Sequence, residues 1–143
     1  MSTTVSMPSI LLVEDNPMDL DLTLRAFRRK NLSNTIHVAR DGEEALAFMA
    51  RWDAGEPAPA VILLDINLPK VNGLKVLRQI KAHAIYRRIP VVMLTSSKED
   101  RDLKSAYDLG VNSYIEKPVS FSKFIDVAEQ IELYWCVLNE RPS

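Results

Sequence analysis

Polar residues with chemical potential follow the short apolar runs of this sequence: Glu14 and Asp15 come directly after Ile10–Val13, Asp65 after Val61–Leu64 and Thr95 after Val91–Leu94, while Lys117 lies just beyond Ser113–Ile115. Brought together, these side chains would form a reactive set. Three crowded carboxylates repel one another and need a cation or protons beside them. Hard oxygen donors open to water suit Mg²⁺, which keeps several waters and pairs with a phosphate oxygen. A carboxylate can attack phosphorus and become an aspartyl phosphate. A lysine would neutralise the incoming phosphoryl group, and a threonine hydroxyl would donate a hydrogen bond to it. In that chemistry Asp65 is the nucleophile.

Taken singly, each residue has an ordinary explanation. An aspartate at a strand end is commonly a cap or a solvated turn residue. Thr95 could cap a helix, and most lysines are surface lysines. The case rests on whether the elements around them bring all five to one place.

The apolar runs are Ile10–Val13, Ile36–Ala39, Val61–Leu64, Val91–Leu94 and Ser113–Ile115. Most are continuous rather than alternating, the pattern of strands covered on both faces. Helix signals separate them. Asn16 followed by Pro17 reads as an N-cap with proline at the first helical position, and Leu20, Leu24 and Phe27 share one face. Asp41 with Glu44 resembles a capping box. Asn72 is placed to cap a helix over Leu74–Ile80, and Ser97 with Asp100 opens another that Gly110 can end in a left-handed turn. Ser120 would cap the last helix, with Val119 and Phe124 as a hydrophobic staple.

Five βα units in series, joined by right-handed crossovers, predict an α/β doubly wound parallel sheet with helices on both faces. Ligands bind such sheets outside the carboxyl ends of the strands. All five polar residues fall at that one edge.

Composition narrows the classes. Hydrophobic residues are 47% and charged residues 26%, the balance of a globular chain with a core. A net charge of -1 gives no pull toward nucleic acid or an anionic membrane, so neither is expected as a partner. Cys136 is the single cysteine and cannot form an internal disulfide, which fits a reducing cytoplasm. No apolar stretch nears the roughly 20 residues of a membrane span, and "MSTTVSMPS" lacks the regions of a signal peptide. The expectation is one cytoplasmic domain over residues 1–143, core about 8–138, with no output domain.

The segments "LLVEDNP", "VILLDINLPKVNG", "VVMLTSS" and "YIEKPVS" resemble the receiver domain of two-component response regulators, in register over nearly the whole chain. That resemblance implies a flavodoxin-like (βα)5 fold with a five-stranded sheet ordered 2-1-3-4-5. It implies that Asp65 accepts a phosphoryl group from a histidine kinase, with Thr95 and Lys117 assisting. Asp15, Asp65 and the backbone carbonyl of Asn67 would bind Mg²⁺, and Glu14 would hold a metal-bound water. Thr95 and Tyr114 match the switch pair, Gly73 matches the turn glycine before the third helix, and a cis bond is expected before Pro118. A phosphoacceptor switch of this kind is not a turnover enzyme, although it promotes its own phosphorylation and dephosphorylation.

A narrower likeness concerns "ILLVEDNPMDLDLTLRAF", the long loop before the third strand, "TSS" and the "YW…LNERP" ending, which look like stand-alone regulators that serve bacterial phytochrome kinases. Ser96 departs from the commonest receiver pattern, a larger side chain beside the switch threonine. In the last helix Phe121, Phe124, Ile125, Ala128, Ile131, Trp135 and Leu138 form an apolar stripe, with Val127, Tyr134 and Val137 lying off it. Those three are the expected surface of a homodimer formed, as the resemblance implies, through the fourth helix, fifth strand and fifth helix. The basic stretch Ala84–Pro90 reads as a solvated loop.

Three other readings share this fold; a flavin-binding one lacks a Ser/Thr/Gly-rich phosphate loop after the first strand, where Asn16-Pro17-Met18 stands instead. An aspartyl-phosphate hydrolase places a second acid two residues after the nucleophile; position 67 here is Asn. A degenerate receiver acting only as a phosphate-independent binding module would lack some of the acceptor residues, and all are present.

Overall fold

The computed structural model describes residues 9–29, 35–66, 68, 70–95, 104, 106–111, 113–116, 122, 126 and 129. Five strands, β1 (Ile10–Val13), β2 (Ile36–Ala39), β3 (Val61–Asp65), β4 (Val91–Thr95) and β5 (Ser113–Glu116), alternate with α1 (Pro17–Arg29), α2 (Gly42–Asp53) and α3 (Gly73–Ala82). Residues 104 and 106–108 are helical, and Gly110 follows them in a left-handed turn with φ of 88°. The strands form one parallel sheet in the order β2-β1-β3-β4-β5.

Alternation along each strand splits the core in two. Leu11, Val13, Ile62, Leu64, Val91 and Met93 face α2 and α3, where they meet Phe48, Trp52, Val76, Leu77 and Ile80. Ile10, Leu12, Val61, Leu63, Val92 and Leu94 face the other way and meet Phe27, Leu20 and Leu24 of α1. Each fully buried leucine or isoleucine contributes about 1.5–3 kcal/mol by leaving water. That double covering is why the runs are continuous rather than alternating.

The caps follow the sequence signals. Asn16 Oδ1 accepts from the N–H groups of Met18 and Asp19 at 2.9 and 3.1 Å. Asp41 Oδ1 accepts from Glu44 N at 2.8 Å, and Asn72 Oδ1 from Lys75 N at 2.9 Å. The returning bond of the expected capping box differs: Glu44 Oε1 takes the N–H of Arg40 at 3.1 Å. α3 begins one residue earlier than expected, at Gly73.

The stretch Ala84–Pro90 is more than a solvated loop. It contains a 3-10 turn over Tyr86–Arg88, with Tyr86 and Ile89 buried in the core and Ile85 exposed. His83 Nδ1 accepts the N–H groups of Ile85 and Tyr86 at 3.1 and 3.2 Å, and the His83 ring stacks on Tyr86. Tyr86 meets the Trp52 ring edge-on and donates its hydroxyl to Asp53 at 2.5 Å, joining this turn to the end of α2. An aromatic inside a polar stretch has no periodicity to announce it.

Candidate functional site

The link between β1 and α1 is only residues 14–16, so Glu14 and Asp15 are held between a buried strand and a capped helix. Glu14 N donates to Ala39 O of the β2 end at 2.9 Å, and Glu14 Oε2 accepts the N–H of Asn16 at 3.2 Å. Asp65 is the last residue of β3 and stands opposite Leu94 in the β3–β4 ladder. Beyond it, Ile66 N donates to Leu94 O at 3.1 Å and Gly73 N to Ile66 O at 2.9 Å. The chain therefore turns straight from the acidic residue into α3.

Glycine is required at that turn. A Cβ on Gly73 would overlap the carbonyl oxygen of Asp65 and lie 2.7 Å from the Ile66 Cα. The backbone of α3 thus presses on the strand end that presents Asp65.

Glu14, Asp15 and Asp65 meet: each offers a carboxylate oxygen, and these oxygens lie within 4.8 Å of one another. Glu14 is 0% and Asp65 2% exposed, while Asp15 is half-buried. Buried carboxylates are costly unless paired, hydrogen-bonded or bound to a cation. A purely oxygen, purely acidic donor set, with Asp15 partly exposed, matches the preference of Mg²⁺ or Mn²⁺ rather than of a thiolate- or imidazole-loving ion. The residues present fit such an ion.

Thr95 ends β4 opposite Glu116 of β5, and Tyr114 stands opposite Met93, so both occupy the expected strands. Thr95 reaches the same carboxyl edge as Asp65. Asn67, Lys117, the bond before Pro118, and the surface residues Val127, Tyr134 and Val137 lie outside the described residues. So do Ser96, Ser97 and Asp100 with most of the last helix.

A second polar group, unforeseen from the sequence, joins the loop after β3 to the start of α2. Lys70 Nζ lies 3.5 Å from Asp41 Oδ2 and 3.7 Å from Glu43 Oε2. The Asp41 carboxylate is held below its ordinary pKa, first by the N–H of Glu44 and, against the opposing effect of burial, by the charge of Lys70. Lys70 is raised, first by Asp41 and then by Glu43. The only sequence signal was the acidic Asp41-Gly-Glu43-Glu44 start of the helix, whose partner is remote in the chain.

The pattern of the response regulator receiver domain matches residues 10–129. The probable methanogenesis regulatory protein FilR2 of Methanothrix harundinacea is 45% identical over 135 residues, covering 94% of this chain and 87% of that protein. The phosphorylated cyanobacterial phytochrome response regulator RcpA superposes with a TM-score of 0.83 at 38% identity, covering 95% of this chain and 99% of its own. The bacteriophytochrome response regulator RtBRR is 51% identical with a TM-score of 0.76, covering 95% of this chain and 84% of its own. The Mn²⁺-bound form of response regulator Rcp1 has a TM-score of 0.79 at 36% identity, covering 90% and 94%.

Proposed function

This chain belongs to the response regulator receiver family of two-component signalling, and we propose that Asp65 is its phosphoacceptor. The observation that carries this reading is the meeting of Glu14, Asp15 and Asp65, with carboxylate oxygens within 4.8 Å at the carboxyl edge of the sheet. Asp65 ends a rigid buried strand beside Asp15, the partly exposed member of the cluster.

On this reading an Asp65 carboxylate oxygen attacks the phosphorus of a kinase phosphohistidine. An O–P bond forms, the N–P bond breaks, and the departing imidazole keeps the electron pair and takes a proton from water. Mg²⁺, when bound, offsets the charge of the carboxylates and of the phosphoryl oxygens. Asp15, Asp65 and the carbonyl of Asn67 would hold it, with Glu14 acting through a water. Lys117 neutralises the transferred group and Thr95 donates to it, with Tyr114 turning behind Thr95 to carry the change to a partner surface. The protein then acts as a switch rather than a turnover enzyme.

The likeness to RcpA and RtBRR supports a phytochrome-type histidine kinase as the phosphoryl donor, and the Mn²⁺ form of Rcp1 supports a divalent cation at the carboxylates. Pairing of two copies through the fourth helix, β5 and the last helix, with Val127, Tyr134 and Val137 at the contact, belongs to the same reading. A single-copy mass by sedimentation at high concentration, phosphorylated and not, would remove that pairing.

Intact mass after incubation with acetyl phosphate tests the acceptor. A gain of one phosphoryl group that needs Mg²⁺ and vanishes in Asp65→Asn is expected. No gain in the wild type, or an undiminished gain in Asp65→Asn, would overturn it.

A further inference from the structure

The loop that follows the acceptor strand is braced from a part of the chain that has no place in the phosphoryl chemistry. Gly42, the first residue of α2, lies against Val71: a Cβ there would overlap the Val71 carbonyl oxygen and come within 2.6 Å of its carbonyl carbon and its Cβ. Two residues further on, Gly73 lies against the Asp65 carbonyl in the same manner. These two backbone contacts run in series from α2, through residues 71–73, to the strand end that carries Asp65.

Charge holds the same loop. Lys70 adopts φ of 66°, a conformation that non-glycine residues rarely take, while its ammonium spans Asp41 and Glu43 on either side of Gly42. Asp41 is itself fixed as the cap of α2 by its bond from Glu44 N at 2.8 Å. A strained residue between two fixed points needs a tether.

We propose that Gly42 and the Lys70–Asp41–Glu43 bridge are positioning residues for Asp65: they clamp residues 70–73 against α2, and the clamped loop sets the acceptor carboxylate relative to Glu14 and Asp15. The inference rests on the reading of Asp65 as acceptor and cation ligand. None of these groups belongs to the Glu14, Asp15 and Asp65 carboxylate set; they act through the backbone of residues 71–73.

The electrostatic alternative has the opposite sign. Lys70 is a cation, so on charge alone its removal favours binding of a divalent ion elsewhere on the protein. A positioning role means that removal loosens it. Metal affinity distinguishes the two.

The experiment measures the Mn²⁺ dissociation constant by calorimetry, the initial rate of phosphorylation by acetyl phosphate, and the metal-free melting temperature. It uses full-length wild type, Gly42→Ala, Lys70→Ala and Lys70→Arg. Gly42→Ala is expected to weaken Mn²⁺ by about tenfold or more and to slow phosphorylation comparably at temperatures where it is folded, the size of loss typical when support behind a metal ligand is removed. Lys70→Ala is expected to weaken Mn²⁺ by about two- to fivefold, in keeping with an exposed ion pair, and Lys70→Arg to restore it. Unchanged Mn²⁺ affinity in folded Gly42→Ala, or tighter binding in Lys70→Ala, overturns the proposal. Should Gly42→Ala not fold, the Lys70 pair decides alone. A wild type that binds Mn²⁺ but takes no phosphoryl group counts against Asp65 as acceptor, while the Mn²⁺ affinities still judge the clamp.

Discussion

Asp65 stands opposite Leu94 in the β3–β4 ladder, and the ladder continues past it through Ile66 N to Leu94 O at 3.1 Å. The carboxylate therefore emerges from a hydrogen-bonded strand end and not from a loose loop. Its backbone has no freedom to retreat, because Gly73 closes on its carbonyl from the other side.

Gly73→Ala should consequently damage both fold and site. The added methyl must displace either the β3 end or the start of α3, an overpacking cost of about 1–3 kcal/mol. Urea unfolding is expected to show that loss, and Mg²⁺-dependent phosphorylation should fall along with it.

Crowding of three carboxylates makes the metal-free protein sensitive to cations. Mg²⁺ at ten times its dissociation constant should stabilise the wild type by roughly 1.4 kcal/mol through binding to the folded state alone. Asp65→Asn removes one of the charges and one ligand. It is expected to melt higher than the wild type without metal and to gain little when Mg²⁺ is added, as read by thermal unfolding with and without the ion.

The cap of α2 should appear in the acid limb of the stability curve. Asp41 has its carboxyl pKa lowered from 3.8, chiefly by the Glu44 N–H. The unfolded chain thus takes up the proton first as pH falls, so this contribution is present above pH 3.8 and lost below it. Asp41→Asn keeps a capping oxygen but should flatten the dependence below pH 4 or so; Asp41→Ala should lower the melting temperature at neutral pH as well. Thermal melts from pH 3 to pH 7 read both effects.

The far end of the molecule should respond to alkali. The Tyr86 hydroxyl, bonded to Asp53, is raised from 10.0 to about 12. In the unfolded chain tyrosine ionises first, so stability is full below pH 10 and falls as pH rises toward 12. Tyr86→Phe should remove part of that slope in urea titrations between pH 9 and pH 12. It should leave phosphorylation of Asp65 untouched, since Tyr86 lies before the amino end of β4 and the acidic cluster lies beyond the carboxyl ends of β1 and β3.

Local rules made much of this legible in the sequence. Continuous apolar runs marked β1, β3 and β4, and the carboxylates at the ends of β1 and β3 were visible because a buried strand rarely closes on a charge without cause. Asn16-Pro17, Asp41 and Asn72 announced the helices through cap chemistry that reaches only two or three residues. The Lys70 bridge to Asp41 and Glu43, the Gly42–Val71 contact and the Tyr86–Asp53 bond are different in kind. Each joins segments brought together only by the packing of α2 against the β3–α3 and α3–β4 loops, so no spacing along the chain encodes it. Lys117 was marked by its place beyond the fifth apolar run and the last helix by its Ser120 cap and apolar stripe, whereas the role of Asn67 rests on resemblance alone.

The most direct test locates the phosphoryl group chemically. Protein treated with acetyl phosphate and Mg²⁺ is reduced with borohydride, which converts an aspartyl phosphate to homoserine, and is then mapped by peptide mass. Homoserine at position 65, and at no other aspartate, is the expected result. An unmodified residue 65 in protein that has demonstrably gained a phosphoryl group, or homoserine at Asp15 instead, would contradict the assignment of Asp65 as the acceptor.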